Sequence, residues 1–308
     1  MRVPLPAAMI TMFNAMVHPF IRSGIIALLA AALVLLGACS ALRFGYNQAD
    51  ELVFWWLDGY ADFDNTQAFR VRKALTQWHA WHRRTQLPDY TALLVQFQAE
   101  VPEPVTAQRL CSWWDNARSR IDVALDSAIP AAAELLLTLT PQQIDHIERR
   151  YGKFNADFRE DYLQTEPAQR IKASVKRAVD RAETFYGRID DAQRERIGRL
   201  VAQSPFDADL WFSERKARQQ EALQMLRRLK AESAGADQAQ AAARAYTERM
   251  AHSPRAQYRQ YAETLVQYNC QLAAELHNSA SASQRQALVQ RLKGWETDLR
   301  ALSASAAP

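Results

Sequence analysis

The feature that most constrains the fold is a helix start that recurs four times along the chain. Its clearest copy is Leu139-Thr140-Pro141-Gln142-Gln143, where threonine can cap a helix, proline fits the first turn and the last glutamine completes a capping box. The other three copies begin at Asp64, Asp190 and Ser281. In every copy an apolar residue follows seven positions after the cap, namely Val71, Ile147, Ile197 and Leu288. The pattern predicts helical hairpins that recur either through an internal repeat or through chance reuse of common capping residues.

Composition and patterning both indicate an all-α protein. Glycine accounts for only 9 of 308 residues, and no stretch alternates apolar and polar residues between turn signals as a strand does. We therefore predict an elongated bundle of antiparallel helical hairpins after the N-terminal signal. One all-helical domain is expected over residues 48–302, with a disordered tail over 303–308. Pro88 is expected to end the helix that begins at Asp64, and the Ala- and Gln-rich run Ala231–Ala243 is expected to be a flexible loop.

The N-terminal apolar run Ser23–Ser40 resembles a bacterial lipoprotein signal. An arginine precedes an uncharged stretch of about 14 residues, which suits a secretory signal and is shorter than the ~20 residues of a membrane-spanning helix. The run ends in Leu-Gly-Ala-Cys, and this resemblance implies acylation of Cys39 and cleavage before it. Residues 1–38 are thus a predicted signal peptide, and residues 39–47 a lipidated tether. The alternative is a cysteine that only ends a signal peptide or a short anchor.

The predicted localisation is the periplasmic face of the cell outer membrane. Ser40 follows Cys39, whereas an aspartate there would resemble an inner-membrane retention signal. Several acyl chains on one residue exceed what stable anchoring requires, so a membrane is an expected partner through Cys39. Removal of residues 1–38 takes away Arg2 and Arg22 and lowers the net charge from +4 to +2. A near-neutral exported chain without a basic face is not expected to bind nucleic acid.

Two further cysteines, Cys111 and Cys270, are free to pair once Cys39 is acylated. Disulfides persist in an oxidising periplasm, and this pair would tie a late helix to an early one. The alternative is two separate buried thiols that behave as small apolar residues. Spacing alone does not decide between them, because proximity in space cannot be derived from separation in sequence.

Two apolar groups lie early in the predicted domain. Phe54, Trp55 and Trp56 stand close to Cys39 and either pack in the core or lie in the membrane interface, where tryptophan is common. Of these alternatives we favour the core.

A later helix carries an apolar stripe with Cys111 on its flank. The members of that stripe are Leu110, Trp114, Ala117, Ile121 and Leu125.

The densest cluster of aromatic and basic side chains is a candidate binding surface. It comprises Trp78, His79, His82, Arg83 and Tyr90. Two histidines at i and i+3 are too few for a metal site, and no third ligand stands at a suitable spacing. Because His82 continues an apolar stripe of its helix, we favour packing in or beside the core for this ring. No metal and no cofactor are predicted.

Four segments taken together carry a family resemblance. They are the lipobox at Cys39, Trp78–Arg84 leading into Leu87-Pro88-x-Tyr90, Leu139-Thr140-Pro-x-Gln143 followed by Tyr151-x-x-Phe154-Asn155, and Trp211-x-x-x-Arg215-x-x-x-Gln219. In combination they resemble an uncharacterised family of proteobacterial lipoproteins, domain-of-unknown-function family 6279. This resemblance covers most of the mature chain and implies a lipoprotein without an assigned activity. The segment Leu139-Thr140-x-x-Gln143 is also similar to the Leu-Thr-x-x-Gln signature of periplasmic stress chaperones, although a capping box accounts for it equally well.

Patterns typical of enzymes are missing from the sequence. It contains no Gly-rich phosphate loop, no His-Glu-x-x-His and no serine in a nucleophile elbow. We therefore lean against catalysis and expect a scaffold, adaptor or chaperone-like factor that binds envelope polypeptides. Two alternatives from other classes remain: a cell-envelope hydrolase or metal-dependent enzyme that uses His79 and His82, and a small-solute or lipid carrier with a deep apolar cavity.

Overall fold

A computed structural model of the protein describes residues 41–305. Over this range the backbone forms helices and turns without a strand, which confirms the all-α fold class. The helices are α1 (Ala41–Asn47), α2 (Ala49–Ala61), α3 (Asn65–Glu100), α4 (Ala107–Thr138), α5 (Pro141–Tyr162), α6 (Pro167–Tyr186), α7 (Asp191–Ala202), α8 (Ala208–Ala231), α9 (Ala236–Ala251), α10 (Ala256–Ser279) and α11 (Ala282–Ala304). The chain divides into two compact units after residue 47, so that α1 belongs to the first unit and α2–α11 form the second. The predicted signal over 1–38, Cys39 and residues 306–308 lie outside the described range.

Local sequence explains where four of the helices begin. At each predicted start the cap side chain accepts a hydrogen bond from the backbone N–H three residues on, and the glutamine at that position accepts one from the N–H of the cap. Each capping box thereby satisfies two N–H groups that a helix start leaves without an intrahelical partner. The apolar residue seven positions after each cap is buried in all four copies. The four predicted helix starts are confirmed.

The four starts meet in two pairs. Gln67 and Gln143 exchange two amide hydrogen bonds of 3.1 and 2.6 Å. Gln193 and Gln284 exchange two of 2.8 and 2.9 Å. In each pair one glutamine also donates to the backbone carbonyl two residues before the other cap. The same pairing of capping glutamines thus occurs twice, although one helix separates the paired helices in the first pair and three separate them in the second.

Buried apolar side chains cluster next to both pairs. Beside the first pair, Ile144 and Ile147 of α5 pack in one core with Leu223 and Leu226 of α8. Beside the second pair, α6 and α7 contribute Val179 and Ile197 to one cluster, while α11 contributes Leu288 and Leu292 to another. Full burial of such a side chain is worth about 1.5–3 kcal/mol, so these clusters hold the capped ends together.

The longest helices form an antiparallel hairpin on which the later helices pack. The indole of Trp78 on α3 reaches Ala124 on α4, and Glu100 pairs with Arg109 where the two helices turn. The last helix, α11, packs along α3, whereas α9 and α10 pack against α4. Of the two alternatives for the remaining cysteines, the structure has the disulfide: Cys111–Cys270 joins α4 to α10 across 159 residues of sequence.

Two segments inside the domain differ from the sequence prediction. Helix α3 continues through Pro88, because the proline ring is exposed while Leu87 beside it is almost fully buried and accepts a hydrogen bond from the Thr91 hydroxyl at 2.8 Å. The expected loop Ala231–Ala243 contains only a short turn before α9, since Ala239 and its neighbour one turn on are buried against the core.

The ends of the domain differ as well. Residues 41–47 of the expected tether form α1. Residues 303 and 304 of the expected tail are helical, since Leu302 is buried and the Ser303 hydroxyl donates to Leu299 at 2.8 Å.

Candidate functional site

The predicted binding surface is a packing seam between α3 and α4. Trp78 is half-buried, and its Nε1 donates to the Ala124 carbonyl at 3.1 Å and to the Ser127 hydroxyl at 2.9 Å. The His82 ring stacks on Trp78 with centroids 4.9 Å apart, and the Tyr90 hydroxyl lies 3.3 Å from His82 Nε2. These three rings therefore use their polar atoms and much of their apolar surface within the molecule.

His82 and Arg83 of that cluster both interact with other parts of the molecule. The pKa of His82 is lowered below its usual value, mainly by burial and to a smaller extent by the charge of His79, so this ring is neutral near pH 7. Arg83 donates to the Ser305 hydroxyl at 3.2 Å and thereby ties α3 to the end of α11. Within residues 41–305, no group of three or more His, Cys, Asp or Glu side chains is placed to hold a metal ion.

A cluster of ion pairs joins α8 to α9 and to Arg255, the residue that caps the start of α10. Glu214, whose side chain is only 2% exposed, accepts hydrogen bonds from two nitrogens of Arg255 and from Arg218 Nε at 2.8 Å. Arg255 also pairs with Glu221 at 2.5 Å, and Glu221 in turn binds Arg249 at 3.1 Å. Burial acts to raise the pKa of Glu214, but the hydrogen bonds from the two arginines outweigh it and lower this pKa to about 2. The charges are mutually satisfied, and the cluster holds three helices together.

Two surface depressions are lined mainly by charged and polar side chains. The one at the starts of α7 and α11 includes Arg188, Asp190, Gln193, Arg196, Ser281 and Gln284. The other, beside α5 and α8, includes Arg159, Arg170, Asp209, Phe212 and Lys216. Neither has the apolar lining that a lipid carrier requires.

An exposed apolar stripe runs along α4. Trp114, Ile121 and Leu125 are 48%, 53% and 50% exposed, and their spacing of i, i+7 and i+11 puts them on one face of the helix. We call these three residues the α4 stripe. The buried side of α4 is formed instead by Cys111, Ile129 and Ala133. The sequence located the apolar stripe on this helix correctly, but its periodicity could not tell that the stripe faces solvent.

Acidic side chains accompany the α4 stripe. Asp115 follows Trp114 and Asp122 follows Ile121, and both aspartates are exposed. They therefore lie one residue step, about 100°, around the helix from the stripe. Arg118, between Trp114 and Ile121, is half-buried and donates to the Ala251 carbonyl at 2.6 Å, so the exposed charges beside these two stripe residues are the two carboxylates.

A second exposed apolar surface lies near the start of the described chain. Leu52, Trp55 and Trp56 share one face of α2 and are 59%, 61% and 59% exposed, while Phe69 on α3 is 70% exposed. We call these four residues the aromatic patch. The preference for the core was therefore right for Phe54, which is 2% exposed, and wrong for the two tryptophans. Phe54 turns inward because it packs against Phe63 and beneath the Arg72 guanidinium.

Among the helices of the described chain, no single one is both long and apolar enough to cross a membrane. Taken together, α4 and α5 have the length and composition of a membrane span, but the chain bends by 114° between them.

Comparison with known proteins gives one match. A model described as a family of unknown function, DUF6279, matches residues 59–241, which include α3 through α8 and the α4 stripe. No curated protein and no solved structure matches the chain significantly.

Proposed function

The chain belongs to this family of unknown function, and membership assigns no activity. From the residues of the chain itself, we propose that it is a lipid-anchored envelope protein that binds a polypeptide segment on α4. In this proposal, acylated Cys39 holds the protein at the periplasmic face of the outer membrane. The α4 stripe receives an amphipathic segment of another envelope protein. The protein thus acts as an adaptor or chaperone-like factor, by binding rather than by catalysis.

Two features support the anchor and the compartment. The run Ser23–Ser40 ends in Leu-Gly-Ala-Cys, as lipoprotein signals do, and Ser40 stands where an aspartate would favour the inner membrane. The disulfide Cys111–Cys270 is the second feature, because disulfides persist in oxidising compartments such as the periplasm and are rare in the cytosol.

The observation that carries the binding proposal is the α4 stripe. Three large apolar side chains on one helix face each leave about half of their surface in water. Covering that surface would stabilise a complex by about 2–4 kcal/mol, taking half of the 1.5–3 kcal/mol for a fully buried side chain at each position. Partners that dock as amphipathic helices present anchors at the same spacing of about seven residues.

The charge beside the α4 stripe defines the chemistry of the partner. Asp115 and Asp122 are exposed and would face whatever lies along the stripe. A partner segment with lysine or arginine next to its apolar face meets these carboxylates, whereas an acidic segment is repelled. Because such pairs lie at the rim of an interface, they would raise the association rate and make it depend on salt.

The alternatives from other classes lack an observation in their favour. A hydrolase or metal-dependent enzyme at His79 and His82 needs an open site, whereas His82 is engaged with Trp78 and Tyr90. A small-solute or lipid carrier needs a deep apolar cavity, whereas the two depressions described above are polar and open. We therefore advance binding alone.

Photocrosslinking in intact cells tests the proposal. A photoreactive benzoylphenylalanine is placed at Ile121 or Leu125 of the full chain, and the same residue at exposed Glu263 on α10 serves as the matched control. We expect both stripe positions to capture the same envelope protein and the control position not to capture it. The adduct is identified by mass spectrometry, and the captured segment is expected to be amphipathic and basic.

A charge substitution in the α4 stripe completes the test. With benzoylphenylalanine at Ile121, the additional substitution Leu125→Asp should abolish the crosslinked adduct. The helical circular dichroism signal should stay the same. Adducts with lipid alone, adducts with a second copy of this chain alone, or equal capture from the α10 control would each overturn the proposal.

A further inference from the structure

We infer that the aromatic patch on α2 and α3 lies in the headgroup region of the membrane to which Cys39 anchors the chain. The patch is a second contact with lipid, made by side chains instead of acyl chains. This inference rests on the lipid anchor proposed at Cys39. It adds an orientation: the start of α3 faces the membrane.

The patch consists of exposed apolar side chains on two helices that pack together. Leu52, Trp55 and Trp56 stand at i, i+3 and i+4 of α2 and therefore share one face. The Arg72 guanidinium lies 5.6 Å from the Trp55 ring, and Phe69 stands three residues before Arg72 on the same side of α3. Arg72 thus places the start of α3 beside the Trp55 side of α2, while Phe54 of the same helix packs inward.

The chain itself argues for lipid as the occupant of this surface. Leu52 follows Cys39 by 13 residues, and a chain of that length spans at most about 45 Å even when fully extended. An acylated Cys39 therefore keeps the patch within that distance of the bilayer at all times. The short stretch of chain between Cys39 and Leu52 thereby gives the patch a high effective concentration at the lipid surface.

The chemistry of the patch suits the membrane interface. Tryptophan is enriched at the level of the headgroups, because its ring is apolar and its indole N–H remains hydrated. Arg70 and Lys73 are exposed near the patch on α3 and can meet lipid phosphates. The acidic residues at the start of α2 are already engaged by α3: Glu51 lies 3.5 Å from Arg72, and Asp50 accepts from the Thr76 hydroxyl at 3.4 Å.

Fluorescence quenching by brominated lipids tests the inference. The full, acylated chain is reconstituted in phosphatidylethanolamine and phosphatidylglycerol vesicles whose acyl chains carry bromine near the headgroup, and tryptophan emission is compared with that in unbrominated vesicles. The chain has 8 tryptophans. We expect the double variant Trp55→Phe/Trp56→Phe to lose more than half of the quenched emission. The matched control Trp114→Phe, which removes another exposed ring, should leave the quenched emission unchanged.

Two further readouts make every outcome decisive. Both patch positions are more than half exposed, so phenylalanine should leave the helical circular dichroism signal unchanged. The mass of the N-terminal peptide shows whether Cys39 is acylated. If it is acylated and the double variant is quenched as strongly as the parent, the patch does not touch the membrane, while the anchor stands. If Cys39 is not acylated, the proposed anchor is wrong and this inference fails with it.

Discussion

Replacing Glu214 by glutamine should destabilise the protein through the charge it removes. The substitution keeps the size of the side chain, but it takes away the carboxylate that Arg218 binds from the same helix and Arg255 binds from the start of α10. Because the Glu214 side chain is only 2% exposed, water cannot reach its position and solvate the two guanidinium groups in place of the carboxylate. The perturbation therefore isolates one buried charge that joins α8 to α10.

The magnitude follows from the pKa of Glu214. A fall from the ordinary value of 4.5 to about 2 corresponds to about 3 kcal/mol, at ~1.36 kcal/mol per pKa unit. The side chains of Arg218 and Arg255 remain 25% and 34% exposed, so solvent screening reduces the effect. We expect Glu214→Gln to lower the free energy of unfolding by about 2–3 kcal/mol near pH 7.

The effect should depend on pH in a defined direction. Since the folded state lowers the pKa of Glu214, its stabilisation is complete above the unfolded value of 4.5 and is lost as pH falls toward about 2. The difference in stability between the parent and Glu214→Gln should therefore be constant from pH 7 to about pH 5 and narrow below that.

Urea unfolding followed by circular dichroism at pH 7, 5 and 3.5 measures this difference. Glu263→Gln on α10 is the matched control, because that carboxylate is exposed; it should change stability by less than about 0.5 kcal/mol. A Glu214→Gln variant as stable as the control at pH 7, or a difference that does not narrow at pH 3.5, would refute the reasoning.

Three further predictions concern the hydrogen-bonded caps, the disulfide and the anchor. Gln143→Ala leaves the buried amide of Gln67 with fewer partners and should cost about 2 kcal/mol in urea unfolding, whereas Gln142→Ala, exposed and next to it, should be nearly neutral. Reduction of Cys111–Cys270 opens a loop of 159 residues and should lower stability by about 2–5 kcal/mol in the same assay; an unchanged midpoint would contradict this constraint. Cys39→Ala should release the protein from sedimented membranes, and full retention with the signal cleaved would rule out acylation as the anchor.

Much of the fold follows from local sequence, because helix starts are local. A cap, a glutamine three residues later and an apolar residue four further on lie within two turns, so the sequence holds all the atoms of the interaction. For that reason the starts at Asp64, Thr140, Asp190 and Ser281 were predicted at the correct residue. The all-α class followed from the same patterns together with the scarcity of glycine.

Two local signals were outweighed by packing. Proline in a helix interior costs ~3 kcal/mol, but α3 continues past Pro88, where buried Leu87 and the contacts of α3 with α4 and α11 offset that cost. The Ala- and Gln-rich run after residue 235 carried no strong apolar stripe, yet alanines are small enough to lie directly against the core as α9. Neither outcome is visible without the neighbouring helices.

The sequence alone determined the all-α class and the four capped helix starts, while the tertiary structure decided which surfaces meet. Only it paired Gln67 with Gln143 and Gln193 with Gln284, and only it brought Cys111 to Cys270. It also left the α4 stripe in solvent, together with Trp55 and Trp56, for which we had favoured the core. The physical reason is that periodicity shows that a helix has an apolar face, but what covers that face depends on segments far away in the chain.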